Sequence, residues 1–511
     1  MSRKAVAILI LLVWFGALGW LAQRRTVGIH SGVIVRTWPV SPGAAFFGVY
    51  RGDKQVGIAT LSIDTLIEGL RTDEIVTLDL PHQGHSVRRA TLRTEALYSK
   101  SLRLLRWETN LLTDDGRSVV QGVLGEDGVI TIYNGLRGPV ETLTVASPAE
   151  PLLLPGAVPF LLANAENRTI GRILTPTVFD PATTEISSTR FRVAAESTFI
   201  VPDSAEFDST TSRWVAVHAD TTPAWRLDGL EGGLPSRRWV DAHGITVRIE
   251  RPIGLLVEQD AFEVVSTNYR AHGGILGWDT TGSVRISETA PPVATSTQTD
   301  RMRIALLGAD LSGFAPGVDG GTQQREADTI TVIRADTANR GAQVGDSAAL
   351  APWLRATPLI RSDDPRVIQR AADIVRDAAS SARKARLLGQ WVSRAVRVER
   401  RPGSQSAVRT LARRTGTRDD KLLLLVSMLR AQGVPARLAA GLREESGRFY
   451  PNGWVEFFAG DWIPVDPENG TVPADASRLR LLIERPARPL DLMLLAGNTE
   501  LTVLDTAAVQ P

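Results

Sequence analysis

The stretch GTRDDKLLLLVSMLRAQGVPAR, Gly416 to Arg437, decides how the second half of this sequence folds. Thr417 is a helix-capping residue, acidic residues fill the first turn after it, and Gly433 and Pro435 end the pattern. Leu422, Leu423, Leu424 and Leu425 in succession leave no polar face for more than a turn. A helix apolar on every side belongs inside a domain, so this one is expected to be buried all round.

The surroundings supply the layers that would bury it. Upstream, Asp364-Pro365 opens a helix through about Ala382, and 383–398 continues with Leu387, Leu388, Trp391 and Ala395 on one stripe. A third helix is expected over 404–413. Downstream, 436–442 reads as a strand, and PNGWVEFFAGDWIPVDP, residues 451–467, reads as two short strands around a glycine turn. A three-residue loop centred on Ala459 would pair Glu456 with Trp462 and Asn452 with Asp466.

The half before this region obeys another period. From about Gly28 to Arg340, apolar and polar residues alternate, broken by Gly, Asp, Asn and Pro, which is the pattern of antiparallel hairpins. Residues 158–164, with Pro159 in the first turn, form the one clear helical candidate there. Strands on both sides of it imply a curved sheet wrapping an apolar helix face. Residues 287–299 read as a linker, and 301–334 as a small strand unit with a Gly/Asp-rich loop at 317–321. The fold class is therefore α+β. Its expected divisions are 1–27, a β-rich region 28–290 with a possible split near 145–165, the linker and strand unit 291–345, and 346–511.

At the N-terminus an uninterrupted apolar run, Ala5 to Ala22, lies between Arg3-Lys4 and Arg24-Arg25. As a helix it would cover about 27 Å, close to a bilayer core. A cleaved signal peptide competes, with Ala17-Leu18-Gly19 as a small-residue site; Trp20 and the trailing arginines favour a retained anchor. Positive charge on both sides orients the span weakly.

The net charge of +2 hides an uneven distribution: Arg355 to Arg448 holds 21 Arg/Lys against 9 Asp/Glu. Arginine outnumbers lysine throughout and no aromatic-rich basic motif appears, so nucleic acid is not an expected partner. The chain contains 0 cysteines, which excludes disulfides, thiolate metal sites and a cysteine nucleophile together. His82 and His85 lack acidic or thiol companions and read as solvated loop residues, so no metal or cofactor is expected.

Taken in order, Gly416-Thr417-Arg418-Asp419, then Leu429 to Arg437, then Trp454-Val455-Glu456, then Trp462 to Pro467, resembles the core of the transglutaminase-like superfamily, the papain-like group with a Cys-His-Asp triad. The resemblance spans about 362–480. More weakly, 48–57 and 239–256 resemble the extracytoplasmic region preceding such domains in bacterial membrane-anchored proteins. The resemblance implies a cysteine at the N-terminus of the buried helix, a histidine two residues before the first hairpin tryptophan, and an aspartate before the final proline. In this sequence those positions hold Arg418, Asn452 and Asp466, and all six histidines precede the region. Asn452 exchanges no proton near neutral pH, and Arg418 is no nucleophile.

An Arg418–Asp466 contact, shared with Asp419 or Asp420, is expected to plug the old cleft. Trp454 and Trp462 are expected to pack in the core or cleft wall. Glu456 and Asp461 have opposite parity near the turn, which argues against a facing carboxylate pair. These readings imply a membrane-anchored, periplasmic, catalytically inactive module that binds or scaffolds a protein near the membrane. Two alternatives stand beside it: an enzyme using Asp466, Glu456, Asp419 or Asp420, and a carrier holding an apolar ligand in the β-rich region.

Overall fold

Period-two alternation builds most of the first half. Eight consecutive strands, from Gly43–Arg51 to Glu141–Ala146, form an antiparallel meander. Five more, from Phe191–Asp208 to Leu255–Gln259, form a second. The two join where Gly43–Arg51 pairs with Leu255–Gln259, Val49 opposite Val257. With Ile173–Leu174 at one edge this makes a 14-stranded sheet. Gly122 lies opposite Trp107, and a Cβ there would meet the indole ring at 1.9 Å, so only glycine lets the ring lie across its neighbour. The anticipated helix forms at Val158–Ala163. Its Val158 and Leu162 pack with Phe191, Val193, Leu227 and Val240 of the sheet.

The structure is a computed structural model, and it describes residues 40–508 apart from 53, 83–85, 136–139, 166–167, 232–233, 252–253, 273–284, 287–298, 308–313, 315–316, 337–346, 467 and 484–499. The apolar run 5–22, most of the linker 287–299 and His85 lie outside the described residues, as does the side chain of His82. Among the described residues no helix is long and apolar enough to cross a membrane.

In the second half, helices Pro365–Val375, Ser381–Ala395 and Ala407–Arg413 surround the helix Arg418–Ala431. Every residue from Asp420 to Arg430 is buried, which the run of leucines requires. The first helix ends at Val375 rather than near Ala382, because Ser380 starts a new one by accepting a hydrogen bond from the Arg383 amide at 3.2 Å. On the other side lies an antiparallel sheet in the order Trp462–Val465, Arg448–Phe458, Ala436–Glu445, Arg478–Ile483.

The two halves share a core. Val49 and Leu78 of the large sheet, Met302 and Ile304 of the small strand unit, and Leu442, Phe449 and Leu481 of the last sheet belong to one apolar cluster. The strand Glu500–Ala508 returns to pair with Thr299–Leu307, so a division at residue 345 cuts through one five-stranded sheet.

Candidate functional site

The start of the helix Arg418–Ala431 is fixed by a reciprocal cap. Thr417 Oγ1 accepts from the Asp420 amide at 3.2 Å, and the Asp420 carboxylate accepts from the Thr417 amide at 2.7 Å. Asp420 also accepts from the Gln405 amide at 2.8 Å and from Arg401. This fully buried carboxylate is therefore spent on holding the helix start. Arg418 points outward, its side chain 67% exposed, with Nε 3.2 Å from Glu468 Oε1. Asp419 is half-buried, and its carboxyl is pushed up to about 7 by burial, with the Asp420 charge adding and Arg418 opposing.

Facing this terminus is the hairpin, whose register differs from the one expected from sequence. Phe458 pairs with Trp462 and Glu456 with Pro464, so the loop is centred on Gly460 rather than Ala459. Gly460 adopts φ 83°, the left-handed conformation that glycine enters without penalty. A two-residue change preserves which side chains share a face. Asn452 lies half-buried opposite Gly441.

Asp466 is buried and already engaged. Arg478 Nη2 donates to its Oδ2 at 2.7 Å, Arg443 Nη2 lies at 3.8 Å, and its Oδ1 accepts from the Glu468 amide at 2.8 Å. The expected Arg418–Asp466 ion pair is thus replaced by two others, Arg418–Glu468 and Arg478–Asp466. The cause is topological: Arg478 arrives inside the protein on the strand Arg478–Ile483, whereas a cation at the helix start can remain in water.

Glu456 is the centre of a second buried network. Its carboxylate accepts from Arg480 Nη1 at 2.9 and 3.0 Å and from Arg437 Nε and Nη2 at 2.9 and 2.7 Å. Burial works to raise its pKa, but Arg480 and Arg437 outweigh burial and hold it below the usual carboxylate range. Arg480 also donates to the carbonyls of Gly317, Asp319 and Gly320 at 2.7–2.8 Å, which clamps the 317–320 loop. Trp454 is 1% exposed, and its Nε1 lies 3.4 Å from Glu456. Trp462 stacks under Arg437 at 4.0 Å and meets Trp353 edge-on at 5.4 Å. Both tryptophans are packing residues, and Asp461 makes no pair with Glu456. Sequence reasoning missed Arg437, Arg478 and Arg480; only Arg437 stood in a phrase that had been singled out.

One exposed group among the described residues, Asp203, His218 and Asp220 on the long hairpin of the β-rich half, brings metal-binding atoms within 4.8 Å of one another. The sequence reading had not joined these residues.

Residues 368–467 match the transglutaminase-like superfamily. This segment is a transglutaminase-like domain. Its helix start and hairpin carry the three positions described above. No match was found among curated proteins. Among solved structures, the chain is similar to a β-barrel-like protein of a domain of unknown function from Brucella abortus (14% identity, 43% of this chain and 95% of that one, TM-score 0.32). It is also similar to a candidate cysteine protease from Cytophaga hutchinsonii (13% identity, 42% and 88%, TM-score 0.26). A candidate protease from Parabacteroides distasonis covers more (9% identity, 73% and 69%, TM-score 0.20).

Proposed function

We propose that this is a membrane-anchored, extracytoplasmic protein whose transglutaminase-like domain performs no acyl transfer and acts as a binding or scaffolding module for a protein partner. The observation that carries the reading is Arg418 at the start of the buried helix in a chain with 0 cysteines. Acyl transfer in the superfamily needs a thiolate there and an imidazole to serve it. Three of the four alternative acid–base groups are committed, Asp466 to Arg478, Glu456 to Arg437 and Arg480, Asp420 to Arg401, which leaves Asp419 at the helix start with neither a thiol nor an imidazole to serve. The apolar run 5–22 supports the anchor, and the transglutaminase-like domain would then face the periplasm.

Affinity purification from solubilised membranes of the native source, with wild type and Arg418→Ala compared, tests the reading. A specific protein should co-purify with the wild type. If none does, while the purified protein turns over peptide, ester or amide substrates, the proposal fails.

A further inference from the structure

Between Arg366 and Arg414 the sequence holds 13 Arg/Lys and 3 Asp/Glu, and the helical layer turns much of that charge outward. The helix Ser381–Ala395 buries Ala385, Leu388, Gly389 and Val392. At 3.6 residues per turn, Arg383 and Arg394 project from the opposite side, and both are exposed. Arg397 and Arg400, also exposed, continue the series past the helix end. Among the described residues these four arginines have no carboxylate partner. The acids nearby do not neutralise them: Asp373 lies 3.9 Å from Arg376, Glu399 pairs with Arg401 at 2.8 Å, and Asp377 is a single exposed charge. Arg370 and Arg414 both lie over Trp391, at 5.8 and 4.4 Å, which sets two more cations side by side.

A bland reading would make this a solvated face in an arginine-rich chain. The β-rich half argues otherwise. There several surface arginines are matched across or along the strands, as in Arg71–Glu95, Arg93–Asp73, Arg226–Asp228 and Arg248–Glu250. Residues 41–260 hold 28 Asp/Glu for 21 Arg/Lys, whereas 366–414 hold 3 for 13, so the helical layer lacks the acids that would neutralise it.

We propose that the face formed by Arg383, Arg394, Arg397 and Arg400 seats on anionic phospholipid headgroups. Guanidinium groups donate in pairs to phosphate oxygens, and several of them on one surface add. Each such residue near an anionic bilayer is worth about fivefold in partitioning. Nucleic acid fits less well, because Trp391, the aromatic ring beside these cations, is already covered by Arg370 and Arg414 and offers no stacking platform. Proximity to a bilayer rests on the anchor in the proposed function. Even fully extended, the chain from Ala22 to Val40 reaches no more than about 65 Å.

The absence of cysteine allows a single label to report the contact. Val398, 49% exposed between Arg397 and Arg400, is changed to cysteine in the full chain and labelled with a fluorophore; a second preparation carries the label at Ile67→Cys, a 94% exposed site in a turn of the large sheet. Each is reconstituted into phosphatidylcholine vesicles with and without phosphatidylglycerol, with a headgroup-attached quencher. Retention in phosphatidylcholine alone reports the anchor, so failure of the anchor and failure of the face are read separately.

The proposal expects quenching at 398 with phosphatidylglycerol, its loss at high salt, little quenching with phosphatidylcholine alone, and none at 67. Replacing Arg383, Arg394, Arg397 and Arg400 by glutamine should abolish it, since four such contacts amount to roughly two orders of magnitude or more in partitioning. An unchanged circular dichroism melt would show that the variant is folded. Equal quenching in both lipids, equal quenching at both sites, or persistence in the glutamine variant would overturn the proposal. So would salt-sensitive binding of a single-stranded oligonucleotide without any lipid response.

Discussion

Replacing Glu456 by alanine removes the carboxylate that Arg437 and Arg480 share, and their side chains are 7% and 2% exposed. Two buried guanidiniums would then lose the counter-charge they share. Breaking a buried ion pair from one side typically costs about 3–5 kcal/mol, because the remaining charge keeps its desolvation penalty. Three carbonyls of the 317–320 loop continue to accept from Arg480, so the lower part of that range is expected. Glu456→Gln keeps an acceptor oxygen and should cost less. Urea unfolding at neutral pH measures both. The pH dependence supplies a second check. The folded-state pKa of Glu456 is depressed, so its stabilisation is fully present above the ordinary value of 4.5 and disappears as pH falls through the folded value. The wild type and Glu456→Ala should therefore converge in acid. A loss below about 1 kcal/mol at pH 7, or a difference that does not shrink in acid, would refute the claim that this carboxylate holds the hairpin to the preceding strand unit.

Thr417→Ala removes one arm of the cap at the buried helix and should cost about 1 kcal/mol in the same unfolding assay. Asp419→Asn should stabilise the protein above pH 7 and make no difference below pH 3.8. The folded-state pKa of Asp419 is raised to about 7, so its favourable neutral form is lost as pH rises from 3.8 towards 7. Gly460→Ala, at φ 83°, should destabilise by roughly 1 kcal/mol in thermal unfolding, whereas Ala459→Gly should not show that strain.

The parts of the fold legible in the sequence were those written in neighbouring residues. The run Leu422–Leu425 announces a buried helix because no rotation of it offers water a polar side, and Thr417 with Asp420 lies within a single turn. Hairpin spacing was nearly legible. The register missed by two residues because the glycine that accommodates the left-handed turn is Gly460, one position after the presumed centre. What failed was long-range. Asp466 meets Arg478 only because the strand Arg478–Ile483 packs beside Ala436–Glu445, and nothing in the local sequence distinguishes Arg478 from Arg418 as the partner. The seam between Gly43–Arg51 and Leu255–Gln259 and the return of Glu500–Ala508 to Thr299–Leu307 are likewise pairings across some 200 residues, set by where two apolar faces can be covered together.

The central claim is that the transglutaminase-like frame persists without acyl-transfer chemistry. The most direct measurement incubates purified full-length protein with peptide, ester and amide substrates, with and without an amine acceptor, and follows hydrolysis and crosslinking by mass spectrometry. No turnover above that of Asp466→Ala is the expected result. Turnover that Asp466→Ala or Arg418→Ala abolishes, while the fold is retained, would contradict it.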